Sequence, residues 1–190
     1  MQVAGILLAA GSGRRFGGDK LLYPLEDGTP IGVRSVLRLR SVVRNTRVVI
    51  SDAAGALRER LEREGVDVLE NPCNRGMGSS IAAGVRATWD ADAWIIALAD
   101  MPWIQLTTYA GVYGQLIAGA SLAAPEYAGR TGHPVGFHAA HRQALSSLRG
   151  DRGAKDILRE HSKALVRIPV SDPGIHWDVD TPGDVRRNRP

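Results

Sequence analysis

Val3–Ala10 is an unbroken apolar run that opens directly into Gly11-Ser12-Gly13-Arg14-Arg15. A strand carries apolar residues at every position when both of its faces are covered. This feature predicts a central strand of a layered sheet with a glycine-rich, basic loop at its carboxyl end. Ala93–Ala99 repeats the pattern and ends at Asp100. Arg47–Ser51 and Val66–Glu70 read as further strands, as do the short Leu122–Ala124 and Pro134–Phe137 and the late Ala164–Val170. Between them, helical spacing runs through Ile31–Leu39, Ala54–Glu64, Gly78–Thr88, Gln105–Ala118, His138–Leu148 and Arg152–His161. Gly65 stops the second of these, and Pro182 begins a terminal helix. The alternation predicts an α/β chain with one domain over residues 1–190, a doubly wound, mainly parallel sheet with helices on both faces. In such sheets ligands sit beyond the carboxyl ends of the strands.

Several classes are set aside by composition. Of 190 residues, 44% are hydrophobic and 23% charged, a globular balance that excludes wholesale disorder. The apolar runs are too short to cross a bilayer, so no membrane role is expected. Met1 leads into a strand with no cationic, cleavable leader, and the single cysteine, Cys73, cannot pair within the chain. Both point to the cytoplasm. The net charge is +4, and only three of the 24 cationic side chains are lysines: Lys20, Lys155 and Lys163. The arginines are scattered over helix faces and aromatics make up only 5%, so a nucleic-acid surface is not expected. His133, His138, His141, His161 and His176 form no zinc-ligand spacing.

Four segments carry chemistry. The first runs from Leu7 to Lys20, where glycines let backbone N–H groups approach phosphate oxygens and Arg14, Arg15 and Lys20 supply charge. Phe16 stands where a dinucleotide fingerprint has its third glycine, and the Gly-Lys-Ser/Thr of a P-loop is absent. The second, Asn71–Ile81, places serines ahead of an apolar periodic run, as N-cap candidates at a helix end suited to a polar ligand. In the third, Asp100 lies just beyond a buried strand, placed either to hold Mg²⁺ or to cap a turn with Pro102. The fourth is Asp178-Val179-Asp180-Thr181-Pro182; two carboxylates two apart point the same way on extended backbone, while Asp180 or Thr181 also suits capping of the helix at Pro182.

Taken in order, these motifs resemble the nucleotidyltransferases that act on molybdenum cofactor, most closely the molybdenum cofactor cytidylyltransferases. Leu-Ala-Ala-Gly-x-Gly-x-Arg-x-Gly-x-x-Lys-Leu-Leu spans Leu8–Leu22, and Asn-x-x-x-x-Gly-Met-x-Ser-Ser spans Asn71–Ser80. Asp-x-Pro falls at Asp100–Pro102 and Asp-x-Asp-Thr-Pro-x-Asp at Asp178–Asp184. Weaker matches lie at Gly132–Phe137 and Gly150–Lys155, in the part of the family fold that meets the second substrate. Phe16 replaces the family's usual methionine, and Ala99 its usual glycine.

The resemblance implies a nucleotide-diphospho-sugar transferase-like fold. It implies a loop of Leu8, Ala9, Ala10, Gly11 and Gly13 around the nucleotide, with Arg15 and Lys20 on its phosphates. Asn71, Gly76 and Ser80 would lie near base and ribose. Arg15, Lys20 and Asp100 are the implied catalytic groups and Asp100 and Asp180 the Mg²⁺ ligands, with Asp178 the alternative to Asp180. The partners it implies are a nucleoside triphosphate, CTP favoured over GTP, a phosphorylated acceptor such as molybdopterin, and a recipient molybdoenzyme. Other phosphorylated acceptors remain open, as do a nucleotide-sugar glycosyltransferase using Asp178-Val179-Asp180 and a cofactor-binding chaperone without catalysis.

Overall fold

The computed structural model describes residues 1–10, 16–51, 54–71 and 76–187. Among them lie β1 (Val3–Leu8), α1 (Ile31–Val42), β2 (Thr46–Ile50), α2 (Gly55–Arg63), β3 (Asp67–Glu70), α3 (Met77–Ala87), β4 (Ala93–Leu98) and α4 (Leu106–Ile117). These are followed by β5 (Leu122–Tyr127), β6 (Arg130–Thr131), β7 (Val135–His138), α5 (Arg142–Ser146), α6 (Lys155–Glu160), β8 (Leu165–Pro169) and α7 (Pro182–Arg187). One eight-stranded sheet runs β3-β2-β1-β4-β7-β5-β6, with β8 against β5. No described helix is long and apolar enough to cross a membrane.

The two continuous apolar runs are the two central strands. β1 is buried at every position and lies parallel to β4 in one-to-one register from Val3↔Ala93 to Leu8↔Leu98. Period-two alternation sends Leu7 to the face under α1 and α4, and Ile6 and Leu8 to the face under α3 and α5. Each such aliphatic side chain, fully withdrawn from water, contributes roughly 1.5–3 kcal/mol. Helix α1 buries Ile31, Val36 and Leu39, and Ser35 within it donates to the Ala99 carbonyl at 2.8 Å, tying the helix to the end of β4. On the other face α3 sits very close to β1: a Cβ on Gly84 would stand 2.7 Å from Ile6 Cγ2.

The sheet is mixed but mostly parallel. Strand β7 runs antiparallel to both β4 and β5, and the short β6 is antiparallel to β5, while β8 is parallel to β5. One expectation is corrected. His138–Leu148 is not one helix: a 3-10 turn at Ala139–His141 precedes the short α5. His138 itself ends β7, held in register opposite Ala93. The late strand β8 lies against β5 and not against β4.

Candidate functional site

β1 and β4 end at the same level, and the Ala99 N–H donates to the Leu8 carbonyl at 3.0 Å. Asp100 therefore emerges level with Ala10, where the glycine-rich loop begins. Gly11, Gly13, Arg14 and Arg15 lie outside the described residues. The chain beyond them forms a 3-10 turn at Lys20–Leu22. Phe16 packs edge-on against Tyr23, and Phe16, Leu21 and Leu25 pack against a buried group of Ile31, Trp103 and Val179. This apolar group fixes the Lys20 turn against the carboxyl-terminal segment, and Phe16 serves it with an aromatic ring where the family has methionine.

Val179 is fully buried, and its N–H donates to the Asp100 carbonyl at 2.9 Å. Asp178 and Asp180 flank it. The Lys20 ammonium stands 2.8 Å from Asp100 Oδ2 and 3.7 Å from Asp180 Oδ1, with only 12% of the lysine side chain exposed. Partial desolvation raises the Asp178 carboxyl above the ordinary range; its own backbone N–H opposes the rise, as does Lys20, while Asp100 and Asp180 add to it. Three carboxylates and one ammonium thus converge at the carboxyl ends of β1 and β4.

The route that brings Asp180 here was not legible beforehand. After β8 the chain turns back through Pro173–His176, anchored by buried Asp172. Its Oδ2 accepts from the Gln105 N–H at 2.8 Å and from Thr108 Oγ1 at 2.6 Å, and its Oδ1 from the Gly174 N–H at 3.0 Å. The available signal was Ser171-Asp172-Pro173-Gly174, a turn sequence with an Asx-type acceptor. A further carboxylate lies in the first turn of α7. Asp184 reaches back, its Oδ2 accepting from the N–H groups of Asp180 and Thr181 and from Thr181 Oγ1. The Asp180 side chain is left to face Lys20.

The second motif is also more self-contained than expected. Gly76, at φ +95°, is the N-cap of α3, and the serines lie inside the first turn instead of capping it. Asn71 is buried, its amide donating to Ser79 Oγ at 3.2 Å and Ser80 Oγ at 3.3 Å. The Gly78 N–H donates to the Gly150 carbonyl at 2.8 Å. A Cβ on Gly76 would overlap the Asp151 carboxylate, and one on Gly78 the Arg152 carbonyl. The 150–153 loop thus docks on the N-terminus of α3 because two glycines give it room.

Between that loop and the sheet lies a cavity of about 420 Å³, lined by Leu8, Ile81, Phe137 and Leu158 with Lys155 and His133. The antiparallel pairing of β7 with β4, Ile96 opposite Val135, places Gly132 and His133 beside the end of β4. The His133 Nδ1 is buried with no partner among the described residues. Burial pushes its pKa down; a hydrogen bond to the Ile96 carbonyl and the Asp100 charge oppose this, and His176 adds to the fall. The role of this histidine could not be read from Gly132–Phe137 alone.

Among the described residues no three His, Cys, Asp or Glu side chains form a ready metal site. The donor set still suits a hard cation that keeps few protein ligands: two carboxylates aim at one point, and an ammonium already occupies a cation's place between them.

The chain is similar to known proteins over most of its length. The MobA-like NTP transferase domain family matches residues 5–165. Nicotine blue oxidoreductase of Paenarthrobacter nicotinovorans is 33% identical over 189 residues, covering 94% of this chain and 92% of that protein. Purine catabolism protein PucB of Bacillus subtilis is 28% identical over 191 residues, covering 94% and 91%. The crystal structure of Rv0371c from Mycobacterium tuberculosis superimposes with a TM-score of 0.84 at 26% identity, covering 98% of this chain and 97% of that one. The same protein has been crystallised in complex with manganese, and that structure superimposes with a TM-score of 0.81. The match over most of the chain, with its motifs gathered at one end of the sheet, settles the class: the chain belongs to the MobA-like NTP transferase domain family and is a nucleotidyltransferase.

Proposed function

We propose that the chain is a Mg²⁺-dependent cytidylyltransferase that joins CTP to a phosphorylated acceptor, molybdopterin or its molybdenum form, and releases pyrophosphate. The observation that carries the reading is the convergence of Lys20, Asp100 and Asp180 beside a mainly apolar cavity. A phosphate monoester is largely ionised near neutral pH, so the acceptor needs no general base. Its oxygen bonds to the α-phosphorus as the bond from that phosphorus to the bridging oxygen breaks, and pyrophosphate leaves with the electron pair. The protein's work is in-line positioning and neutralisation of crowded negative charge. Arg15 and Lys20 would hold the triphosphate, and Asp100 and Asp180 would hold the ion, which when bound supplies further charge neutralisation on the phosphate oxygens. The manganese complex of Rv0371c supports a divalent ion here.

Leu8, Ala9 and Ala10 present small or apolar side chains, so base edges would meet backbone groups at the end of β1, with Asn71, Gly76 and Ser80 nearby. The apolar side chains of the cavity under the 150–153 loop would meet the faces of a flat ring system, with Lys155 at its mouth for an anionic group. The product would pass to a recipient molybdoenzyme in the cytoplasm. The test is a screen of the four nucleoside triphosphates against molybdopterin, methylerythritol phosphate and phospholactate, read by pyrophosphate release and product mass. A cytidylylated molybdopterin is expected; a guanylated product reverses the base choice, and no pyrophosphate with any pair removes catalysis. A second reading rests on the name of the Paenarthrobacter relative. That reading is an oxidoreductase, and oxidation of an added reduced nicotinamide dinucleotide at the expense of an added quinonoid dye would favour it, although the Leu8–Lys20 loop lacks the third glycine of a dinucleotide fingerprint.

A further inference from the structure

We propose that Lys20 is an internal counter-ion: in the nucleotide-free chain its ammonium holds the cation position between Asp100 and Asp180, and it blocks a divalent ion until a triphosphate draws it away. This rests on the reading that these carboxylates receive the ion.

The ammonium lies 2.8 Å from Asp100 Oδ2 and 3.7 Å from Asp180 Oδ1, and the lysine side chain is seven-eighths withdrawn from water at 12% exposure. A divalent ion bound between the same oxygens would share that point with a positive charge, and two cations there repel strongly where water is scarce. Lysine suits an exchange of partners: its charge is compact and sits on a flexible four-carbon stem. Ahead of it, no atom of the described residues lies within 4 Å of where a Cβ on Gly17 or Gly18 would stand.

A triphosphate at the end of β1 offers Lys20 more negative charge than the carboxylates do. Lys20 then turns to the phosphates, and the two carboxylates lose their counter-ion as the metal–nucleotide complex arrives. Metal and nucleotide affinities are therefore coupled, and the coupling is reciprocal. The residue that binds the triphosphate also sets the order in which the ligands can enter.

The experiment is Mn²⁺ titration of the nucleotide-free full chain, with free Mn²⁺ read by electron paramagnetic resonance. Lys20→Met should bind Mn²⁺ about tenfold or more tightly than the wild type, and its melting temperature should rise with added Mn²⁺. Lys20→Arg, which keeps the charge, should bind as weakly as the wild type. Adding Asp100→Asn to Lys20→Met should abolish the gain. If Lys20→Met is too unstable to titrate, Lys20→Gln carries the same expectation. Equal or weaker Mn²⁺ binding without the lysine charge overturns the proposal, as does tight Mn²⁺ binding by the nucleotide-free wild type. The functional reading is judged separately, by pyrophosphate release from the wild type. A gain in Mn²⁺ affinity without any transfer activity would leave the counter-ion standing and remove the proposed reaction.

Discussion

The two halves of the sheet are built differently and do different work. In β3-β2-β1-β4 the four strands are parallel, so every carboxyl end faces the same edge. In the other half, β7 and β6 run against their neighbours, and β8 lies outside the main strand order. The parallel half supplies the Lys20 loop, Asp100 and the Asn71–Ser80 segment. The mixed half supplies one wall of the cavity, facing Leu8, Ile81 and Ile96 of the parallel half, and, through the return after β8, Asp180. Burial runs from the centre of the sheet outwards in both halves: β1 is buried at every position and β4 and β7 at all but their last, whereas β3, β6 and β8 have no buried position. The parallel half fixes Lys20 and Asp100 at one level, and on the proposed function the mixed half is where a different acceptor would be accommodated.

The largest effects should come from the groups of the parallel half. Asp100→Asn keeps size but removes a charge, and turnover should fall roughly 10²-fold or more, with little change in denaturant midpoint. Lys20→Ala should lose a similar factor in turnover efficiency. Asp180→Asn, whose residue is carried by the mixed half's return, should cost less, because Asp100 and the phosphates remain as ligands. Steady-state kinetics at limiting Mg²⁺ ranks the three; a normal rate for Asp100→Asn would break the division of labour at once.

A smaller effect tests the seam between the halves. Gly78→Ala pushes a methyl group into the Arg152 carbonyl and to within 3.0 Å of the Gly150 carbonyl. The gain in helix propensity, at most about 1 kcal/mol, should not offset the overlap, and we expect a net loss of about 1–3 kcal/mol in urea unfolding. The KM for acceptor should rise because the 150–153 loop lifts from α3. Smaller still is Lys155→Ala. Lys155 is exposed, so stability should hold within about 0.5 kcal/mol. Acceptor KM should rise up to about fivefold, the scale of one solvated ion pair, with the KM for nucleoside triphosphate unchanged.

The same division decides what the sequence reveals. β1 and β4 are readable because a strand covered on both faces must be apolar throughout, and Asp100 is readable because it directly follows such a strand. The pairing Lys20–Asp100–Asp180 joins residues 80 positions apart and more, and no local pattern encodes it. It depends on Asp172 holding a return turn to Gln105 and Thr108, and on Val179 filling a pocket beside Trp103. In the mixed half, strands of two to six residues with partly exposed faces carry weak alternation. His138–Leu148 has helical spacing, yet His138 is held in β7 by Ala93, and tertiary pairing overrides the local preference. The docking of the 150–153 loop is encoded by what Gly76 and Gly78 lack, a side chain, and that becomes visible only when the facing backbone is known.

The smallest effect expected is a pH dependence confined to one half. All five histidines fall at or after residue 133. His141 is buried against Phe137, hydrogen-bonded to Ser121 Oγ at 2.9 Å, with the His161 ring centroid 4.9 Å away. Burial pushes its pKa below the ordinary 6.5, and the nearby His161 and His138 push it the same way. His133 is lowered too, chiefly by burial. A histidine lowered in the folded state binds fewer protons there than in the unfolded chain. Its contribution is therefore complete above 6.5 and is lost as pH falls from 6.5 through the folded-state value. Each group adds a slope of at most about 1.4 kcal/mol per pH unit within that window. The lowered carboxyls Asp27 and Asp184 have an ordinary value of 3.8 and act only further down, and the raised Asp178 works in the opposite sense, gaining stability as pH falls, so a loss just below 6.5 reports on histidine. Urea midpoints measured across that interval should fall with pH, and His141→Gln should flatten the slope. Hydrogen exchange should show β5 and β7 losing protection before β1 and β4. Uniform loss across all four strands would mean that the two halves open as one unit, and the comparison would then describe their chemistry but not their stability.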